Sequence, residues 1–541
     1  MELNIKKSPI TISFFLFISV FIVYLLTMPT KIADNSDAID EVHWATDFVR
    51  LLRPQHLFLT TTLHLVGRIN EILGLQIPLF LSLQVFTSLV GSLSIALFFI
   101  FLKNVGIPTR VSIFACFVLA FSYVHWLHSR EVESAILSQF FVISTLLYLS
   151  ALRLYQSNRA TWLLTFLAMF TTVLSILYAL NCAMLFPAYC ILLVNYGQNN
   201  GKKKQILFYV IGSILLPLFI LGFASFTKIG HFSVTEFVTW FSSHPSIRGF
   251  SPELQKFSLT NILRAESGLL NAFIGHTDVT TWIKLLIHKQ SGLAIAKMEI
   301  VKFFIGLLII FYVHFVFFQF PRNRFSRTIY FSNLAGIVGI LGFNVFWLGS
   351  DPQFSLSAIP FLVTQSCLVV AENYYVSSIK YYWYFIPLPI FSSFLLICNF
   401  FYPVPTFTLK EGGEDWKKME FFQAHTSSAD ILIHISEWGN YLSFFNRNSS
   451  RLIVSCGSHQ NDFLNELSKD LDDSLKRGAK VYLEEILSTN YFNSLNEWTN
   501  FKDLTGMNQD SVARYLSKRY DTSVVFAEQF GNSIVEIKRK Y

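Results

Sequence analysis

Asp34, Asp37, Asp40 and Glu41 fall within one short stretch, Asp34-Asn-Ser-Asp-Ala-Ile-Asp-Glu-Val-His43, with no Lys or Arg among them. Carboxylates packed this closely repel one another unless a cation, or a hydroxyl or amine donor, sits between them. Such a group suits proton abstraction from an acceptor, or capture of a divalent ion. A second group follows at His125-Trp-Leu-His128-Ser-Arg130-Glu131-Val-Glu133, where two histidines, one arginine and two glutamates occupy nine residues. A third is Asp351-Pro352-Gln353, although Asp before Pro is first of all the signature of a helix start. Each has a plain reading too: an acidic loop outside a membrane, a solvated turn between helices, and a helix cap.

The elements that carry these groups are membrane helices. The 541 residues are 52% hydrophobic and only 14% charged, whereas soluble domains carry about a quarter charged residues. Apolar runs of roughly 20 residues, the length that crosses the hydrocarbon, recur near 10–28, 77–102, 110–127, 134–152, 161–179, 182–196, 206–226, 298–320, 328–349, 354–371 and 383–402. About eleven spans are therefore expected. Asn181 and Pro187 interrupt the pair 161–179 and 182–196, which as one re-entrant element would invert everything after it.

Lys6, Lys7, Lys103, Arg110, Arg153, Arg159, Lys202 to Lys204, Arg322, Arg324, Arg327 and Lys380 fall on alternate connections, and that side is expected to be cytoplasmic. The net charge of +7 is thereby absorbed by topology, and no nucleic-acid partner is implied. The opposite, external side receives loops 29–76 and 228–297, the turn at Ser129 to Glu133, the Asp351 turn and the C-terminal part. All three chemical groups lie on that side. The first apolar run is expected to stay as an anchor, because it lacks a small-residue cleavage site and is long enough to span. Five of the six cysteines sit in apolar runs, so neither a disulfide framework nor a zinc motif is indicated.

The first loop continues into Arg53-Pro-Gln-His56-Leu-Phe58 and then an amphipathic stretch from Leu63 to Leu73. An Asp soon after the first membrane helix, followed by a Pro/His motif and another helix, resembles the first external loop of the GT-C glycosyltransferases. The Arg53–Phe58 segment is similar to the PHHLL or HPPG type motifs of bacterial members. An acidic residue between the third and fourth spans, here Glu131 or Glu133, is also common in that superfamily. The resemblance covers the architecture of residues 1–402. It departs from better-defined members in having Asn35-Ser36-Asp37 after Asp34 in place of an adjacent Asp-Glu pair.

The resemblance implies transfer of a sugar from a polyprenyl-phosphate donor by single displacement with inversion. Asp34, with Asp37 beside it, is the expected base or metal ligand, and Glu131 positions the acceptor or shares the metal. Arg53, His56, His128 and Arg130 are expected to meet the phosphate or the acceptor, with Glu133, Asp351 and Gln353 as further binding candidates. Carboxylates such as Asp34 and Glu131 suit Mg2+ or Mn2+, but no spacing fixes a metal and the cofactor stays open. The acceptor is a glycan, a lipid or a protein. The competing reading is a transporter or flippase for a lipid-linked saccharide. That reading calls for ionisable residues along a mid-membrane path, whereas the carboxylates here gather at external helix ends.

Residues 403–541 read as a separate α/β domain. Ile431–Ser436, Arg451–Ser455 and Val481–Leu483 are strand-like, Asn461–Arg477 is helical and stops at Gly478, and Ser523–Glu528 with Ile534–Ile537 flank a Gly531-Asn532 turn. No nucleotide-binding glycine motif occurs there. The expected location is a bacterial inner membrane, with a cytoplasmic N-terminus and a periplasmic C-terminal domain.

Overall fold

The structure, a computed structural model, describes residues 8–28, 57–75, 77, 79–155, 157–197, 201–229, 233–235, 237, 257–275, 304, 306, 308, 312, 315–316, 318–346, 351–374, 385–401, 421, 424–425, 430–434, 449–452, 460–484, 509–527 and 533–540. The chain divides into two compact units, one of Met1–Met28 with Trp44–Thr406, the other of Pro29–His43 with Phe407–Tyr541.

The first unit is helical throughout its described residues. Helix α1 (Pro9–Leu26) starts where Ser8 accepts a hydrogen bond from the Ile10 N–H and Pro9 fits the first turn. Ser13, Leu16, Val20 and Tyr24 form its one buried stripe, the spacing of a single helix face. Ile10, Phe14, Phe15 and Ile22 point outward and are exposed, as lipid-facing residues are. Next come α2 (Leu57–Ile72), α3 (Leu79–Asn104), α4 (Thr109–Phe121), α5 (Tyr123–His128), α6 (Ser134–Ala151) and α7 (Asn158–Tyr178). A 3-10 turn, Leu180–Leu185, leads into α8 (Phe186–Tyr196), followed by α9 (Lys202–Ile229), α10 (Leu259–Ile274) and α11 (Arg324–Val345). A second 3-10 segment, Pro352–Ala358, runs into α12 (Ile359–Tyr374), and α13 (Pro387–Phe401) closes the unit.

Among the described residues seven helices are long and apolar enough to cross a membrane, and Thr109–Phe121, Leu180–Tyr196 and Pro387–Ile397 are shorter apolar helices. This is an integral membrane protein. Most of the expected span 298–320 lies outside the described residues. The region of Asn181 and Pro187 resolves into two segments: α7 packs on α6 and α9, and α8 on the same two helices and, most extensively, on α11.

The expected continuous span 110–127 is corrected by a break. Ser122 adopts an extended backbone (φ −59°, ψ 137°) and ends α4 at Phe121. A break at membrane depth frees carbonyls that must find donors. Here Tyr24 Oη donates to Ala120 O at 2.9 Å, and Asn399 Nδ2 donates to Phe121 O at 2.7 Å and to Phe273 O at 2.9 Å. Helices α1, α10 and α13 are thereby fastened to the broken end. Helix α10 lies inside the expected loop 228–297, buries Ala265, Leu269, Leu270 and Phe273, and packs on α5, α11, α13 and the second 3-10 segment.

The second unit carries a five-stranded sheet, with β1 (Ile431–His434), β2 (Ser449–Leu452), β3 (Val481–Glu484), β4 (Tyr520–Ala527) and β5 (Ser533–Arg539) in the order β2-β1-β3-β5-β4. The first three are parallel, and β5 and β4 form an antiparallel hairpin. Helix α14 (Gln460–Lys476) is the crossover from β2 to β3. It ends at Gly478, whose φ of 78° is a left-handed conformation that glycine tolerates best. Helix α15 (Gln509–Arg519) precedes β4. Asp472 on α14 accepts from Arg519 and from Tyr520 Oη, each at 3.0 Å, tying both helices to the hairpin.

Candidate functional site

The described part of the site is the turn that joins α5 to α6. His125, His128, Ser129, Arg130, Glu131 and Glu133 are each at most 4% exposed, so the solvated-turn reading fails for this segment. Burying this many polar groups requires partners, and they come from four elements.

Helix α1 supplies the first. Trp126 Nε1 donates to Thr27 Oγ1 at 3.0 Å, and the Arg130 guanidinium donates to Thr27 O and, through Nε at 3.4 Å, to Trp126 O. The end of the first membrane helix is thus stapled to the turn. Helix α3 supplies the second: Ser88 Oγ donates to Ser129 O at 2.7 Å, while Ser129 Oγ donates to His125 O at 2.6 Å. The approach depends on Gly91, since a side chain there would collide with Ser129 Oγ and bring two Cβ atoms within 2.7 Å. Gly91→Ala is expected to lower stability by about 1–3 kcal/mol, the usual range for overpacking, read as a fall in the thermal midpoint in detergent.

The third partner is α6. Glu133 caps it, its carboxylate accepting from the Ser134 N–H at 3.1 Å. Gln139 Oε1 lies 2.5 Å from His125 Nδ1, and the Gln139 amide as assigned makes that nitrogen the donor. Gln139 Nε2 then donates to Leu356 O at 3.1 Å, which brings in the fourth element, the second 3-10 segment. That segment is also held by Asn181 on Phe354 O at 3.4 Å, by Asn344 on Ser355 Oγ at 3.1 Å and by the Cys182–Ser357 contact at 3.4 Å.

Asp351 is the cap of the 3-10 segment, its carboxylate accepting from the Gln353 N–H at 3.0 Å and from Gln353 Nε2 at 3.1 Å, so the capping reading holds. Asp351, Glu131 and Arg130 all act electrostatically on the Tyr123 phenol. Tyr123 is a buried tyrosine that sequence spacing did not single out. Thr27, Ser88, Gly91 and Gln139 were missed as well: polar or small residues inside apolar runs were the available signal. Asp34, Asp37, Arg53 and His56 lie outside the described residues.

Burial, opposed by Glu131, Tyr123 and Tyr24, lowers the Arg130 guanidinium to about 10, which leaves it charged at neutral pH. Burial first, and then the His125 imidazole, push His128 from its ordinary 6.5 down to about 3. His128 is therefore neutral in the fold and takes up a proton only when the chain opens. Its contribution to stability is complete above pH 6.5 and disappears as pH falls toward 3. The unfolding midpoint of the wild type should drop between pH 7 and 4 more steeply than that of His128→Gln, as measured by thermal melts across that range.

Among the described residues no group of three or more His, Cys, Asp or Glu side chains could hold a metal ion. Glu131 is present without a second expected ligand, because Asp34 lies outside the described residues.

The helical unit whose polar turn is held by α1, α3, α6 and the second 3-10 segment has a fold that recurs among solved structures. The apo structure of ArnT from Cupriavidus metallidurans matches with a TM-score of 0.54 at 11% identity, covering 98% of each chain. The same protein bound to undecaprenyl phosphate matches with a TM-score of 0.52 at 11% identity, covering 97% of each. No protein-family profile matches the sequence, and no curated protein is detectably similar to it. The likeness therefore lies in the fold.

Proposed function

We propose that this chain is an inverting glycosyltransferase that moves a sugar from a polyprenyl-phosphate donor to an acceptor on the external face of the membrane. The observation that carries the reading is the staple at Thr27. The acidic first loop begins just after this residue, and Thr27 is held by Trp126 and Arg130, next to Glu131. The end of α1 is therefore held against the buried turn that carries Glu131. The shared fold of a protein that holds undecaprenyl phosphate supports a polyprenyl phosphate as the leaving group.

In this reading an acceptor hydroxyl or amine attacks the anomeric carbon, the bond from that carbon to the phosphate oxygen breaks, and polyprenyl phosphate departs. Asp34 takes the acceptor proton. Glu131 orients the acceptor. The guanidinium of Arg130 is turned onto carbonyls, so it contributes its charge to the site and leaves direct contact with phosphate to Arg53 and His56. Glu133, as a helix cap, holds α6 in place. A divalent ion, if held by Asp34 and Glu131, would supply Lewis acidity to the leaving phosphate.

Purified protein in nanodiscs is expected to transfer labelled sugar from one member of a panel of polyprenyl-phosphate sugars. Donor binding without transfer, unchanged by substitution at Asp34 and Glu131, would replace this reading with transport of a lipid-linked saccharide.

A further inference from the structure

The opposite, basic end of the bundle holds a second polar cluster that sugar transfer does not use. Here α6, α8, α9 and α11 meet, each packed on at least one of the others. The Arg153 guanidinium lies over the Phe325 ring, 3.8 Å from its centroid, and Tyr196 stacks on the same ring at 5.6 Å with planes 25° apart. The Tyr196 hydroxyl is shielded from solvent and makes no hydrogen bond. Gln205, one turn into α9, is 1% exposed, and both its amide nitrogen and its amide oxygen are without a partner. A side-chain carbon at Gly197, which follows Tyr196, would lie 3.7 Å from Gln205 Oε1 and 3.5 Å from the stem of Lys202.

Buried carboxamides are almost always paired at both ends, and a residue orphaned at both calls for a ligand that accepts and donates. The Lys202 stem shares the surroundings of Gly197 with Gln205 Oε1 and opens the lysine run Lys202 to Lys204, and Arg153 is held by cation–π contact on the ring that Tyr196 also covers. The neighbouring carboxylate, Glu372, is already engaged by the Arg322 N–H at 3.2 Å and by Asn323 Nδ2 at 3.1 Å. The positive charge is thus left for an external anion. Leu154 and Leu207, beside Arg153 and Gln205 in sequence, are 54% and 59% exposed, so apolar surface adjoins the cluster as acyl chains would require. Basic pockets between membrane helices at this level recognise lipid headgroups.

We propose that this junction binds an anionic phospholipid whose headgroup carries a hydroxyl. The phosphate oxygens accept from Arg153, Lys202, Tyr196 Oη and Gln205 Nε2, and the headgroup hydroxyl donates to Gln205 Oε1. Both orphaned ends of the glutamine are satisfied together. The inference is independent of the glycosyltransferase reading.

The test is native mass spectrometry of the full-length protein released from detergent, titrated with phosphatidylglycerol, phosphatidylcholine and glycerol 1-phosphate. Wild type is expected to retain phosphatidylglycerol at least about tenfold more tightly than phosphatidylcholine, which lacks the headgroup hydroxyl and cancels the phosphate charge with its own ammonium. Gln205→Leu and Arg153→Met should each remove most of that preference. Tyr196→Phe, which deletes a single oxygen that donates to the phosphate, should weaken retention of both lipids in a chain that still folds, and keeps the test decisive if Gln205→Leu does not fold. Equal retention of the two lipids, a preference untouched by Arg153→Met, or phosphatidylglycerol retention untouched by Tyr196→Phe, would overturn the proposal and leave the amide to a buried water. Glycerol 1-phosphate bound as tightly as the lipid would overturn the lipid assignment in favour of a free phosphate ester.

Discussion

Asp34→Asn is expected to slow sugar transfer by about 10²–10⁴-fold, the range that a positioned general base contributes. The substitution keeps the size and hydrogen-bonding reach of the side chain and removes its ability to take a proton. The thermal midpoint should stay close to wild type, which separates a chemical defect from a folding one. Glu131→Gln is expected to slow transfer as well, with a lower midpoint, because Glu131 is 2% exposed and its charge offsets that of Arg130. Transfer above a tenth of the wild-type rate in Asp34→Asn would move the base to another carboxylate of the loop, with Asp37 the next to replace. Rates measured under donor saturation distinguish this outcome from weakened binding.

Arg130→Met is expected to be the most damaging single change to the membrane unit. The side chain is 1% exposed and donates to Thr27 O and Trp126 O. Methionine fills much of the volume but removes the donor to both carbonyls and the positive charge beside Glu131. Losing one member of a buried charged network costs about 3–5 kcal/mol. Protein with this change should melt far below wild type or fail to accumulate. Arg130→Lys should fall between the two, since an ammonium keeps the charge but lacks the fork that reaches two acceptors at once. A midpoint for Arg130→Met within a few degrees of wild type would show that the staple is dispensable.

The membrane class, the helical segments and the strand-helix pattern of the tail were readable from hydropathy and periodicity, because burial in lipid or behind a sheet imposes those patterns directly. Tertiary hydrogen bonding was not. Ser122 looks like any small residue in an apolar run, and its role as a helix break depends on Tyr24 and Asn399, which lie 96 residues before Ala120 and 278 after Phe121. The same holds for Gln139, whose two partners lie 14 residues before it and 217 after it. A turn rich in His, Arg and Glu reads equally well as solvated or buried until those partners are known. Composition marked the turn as chemically dense, and only the packing of α1, α3 and the second 3-10 segment explains how it is held.

The staple between α1 and the α5 turn also sets an order of assembly during synthesis. Thr27 and its partner Arg130 are 103 residues apart, so the first helix enters the bilayer long before the groups that fix its end have been made. Until α4 and α5 emerge, Tyr24 and the Thr27 carbonyl lack the partners that fix them, and α1 is held by its packing on α3 and by Ser13, which donates to Ala96 O at 3.0 Å. Completion of the α5 turn is then the event that fixes the end of a helix already docked along α3.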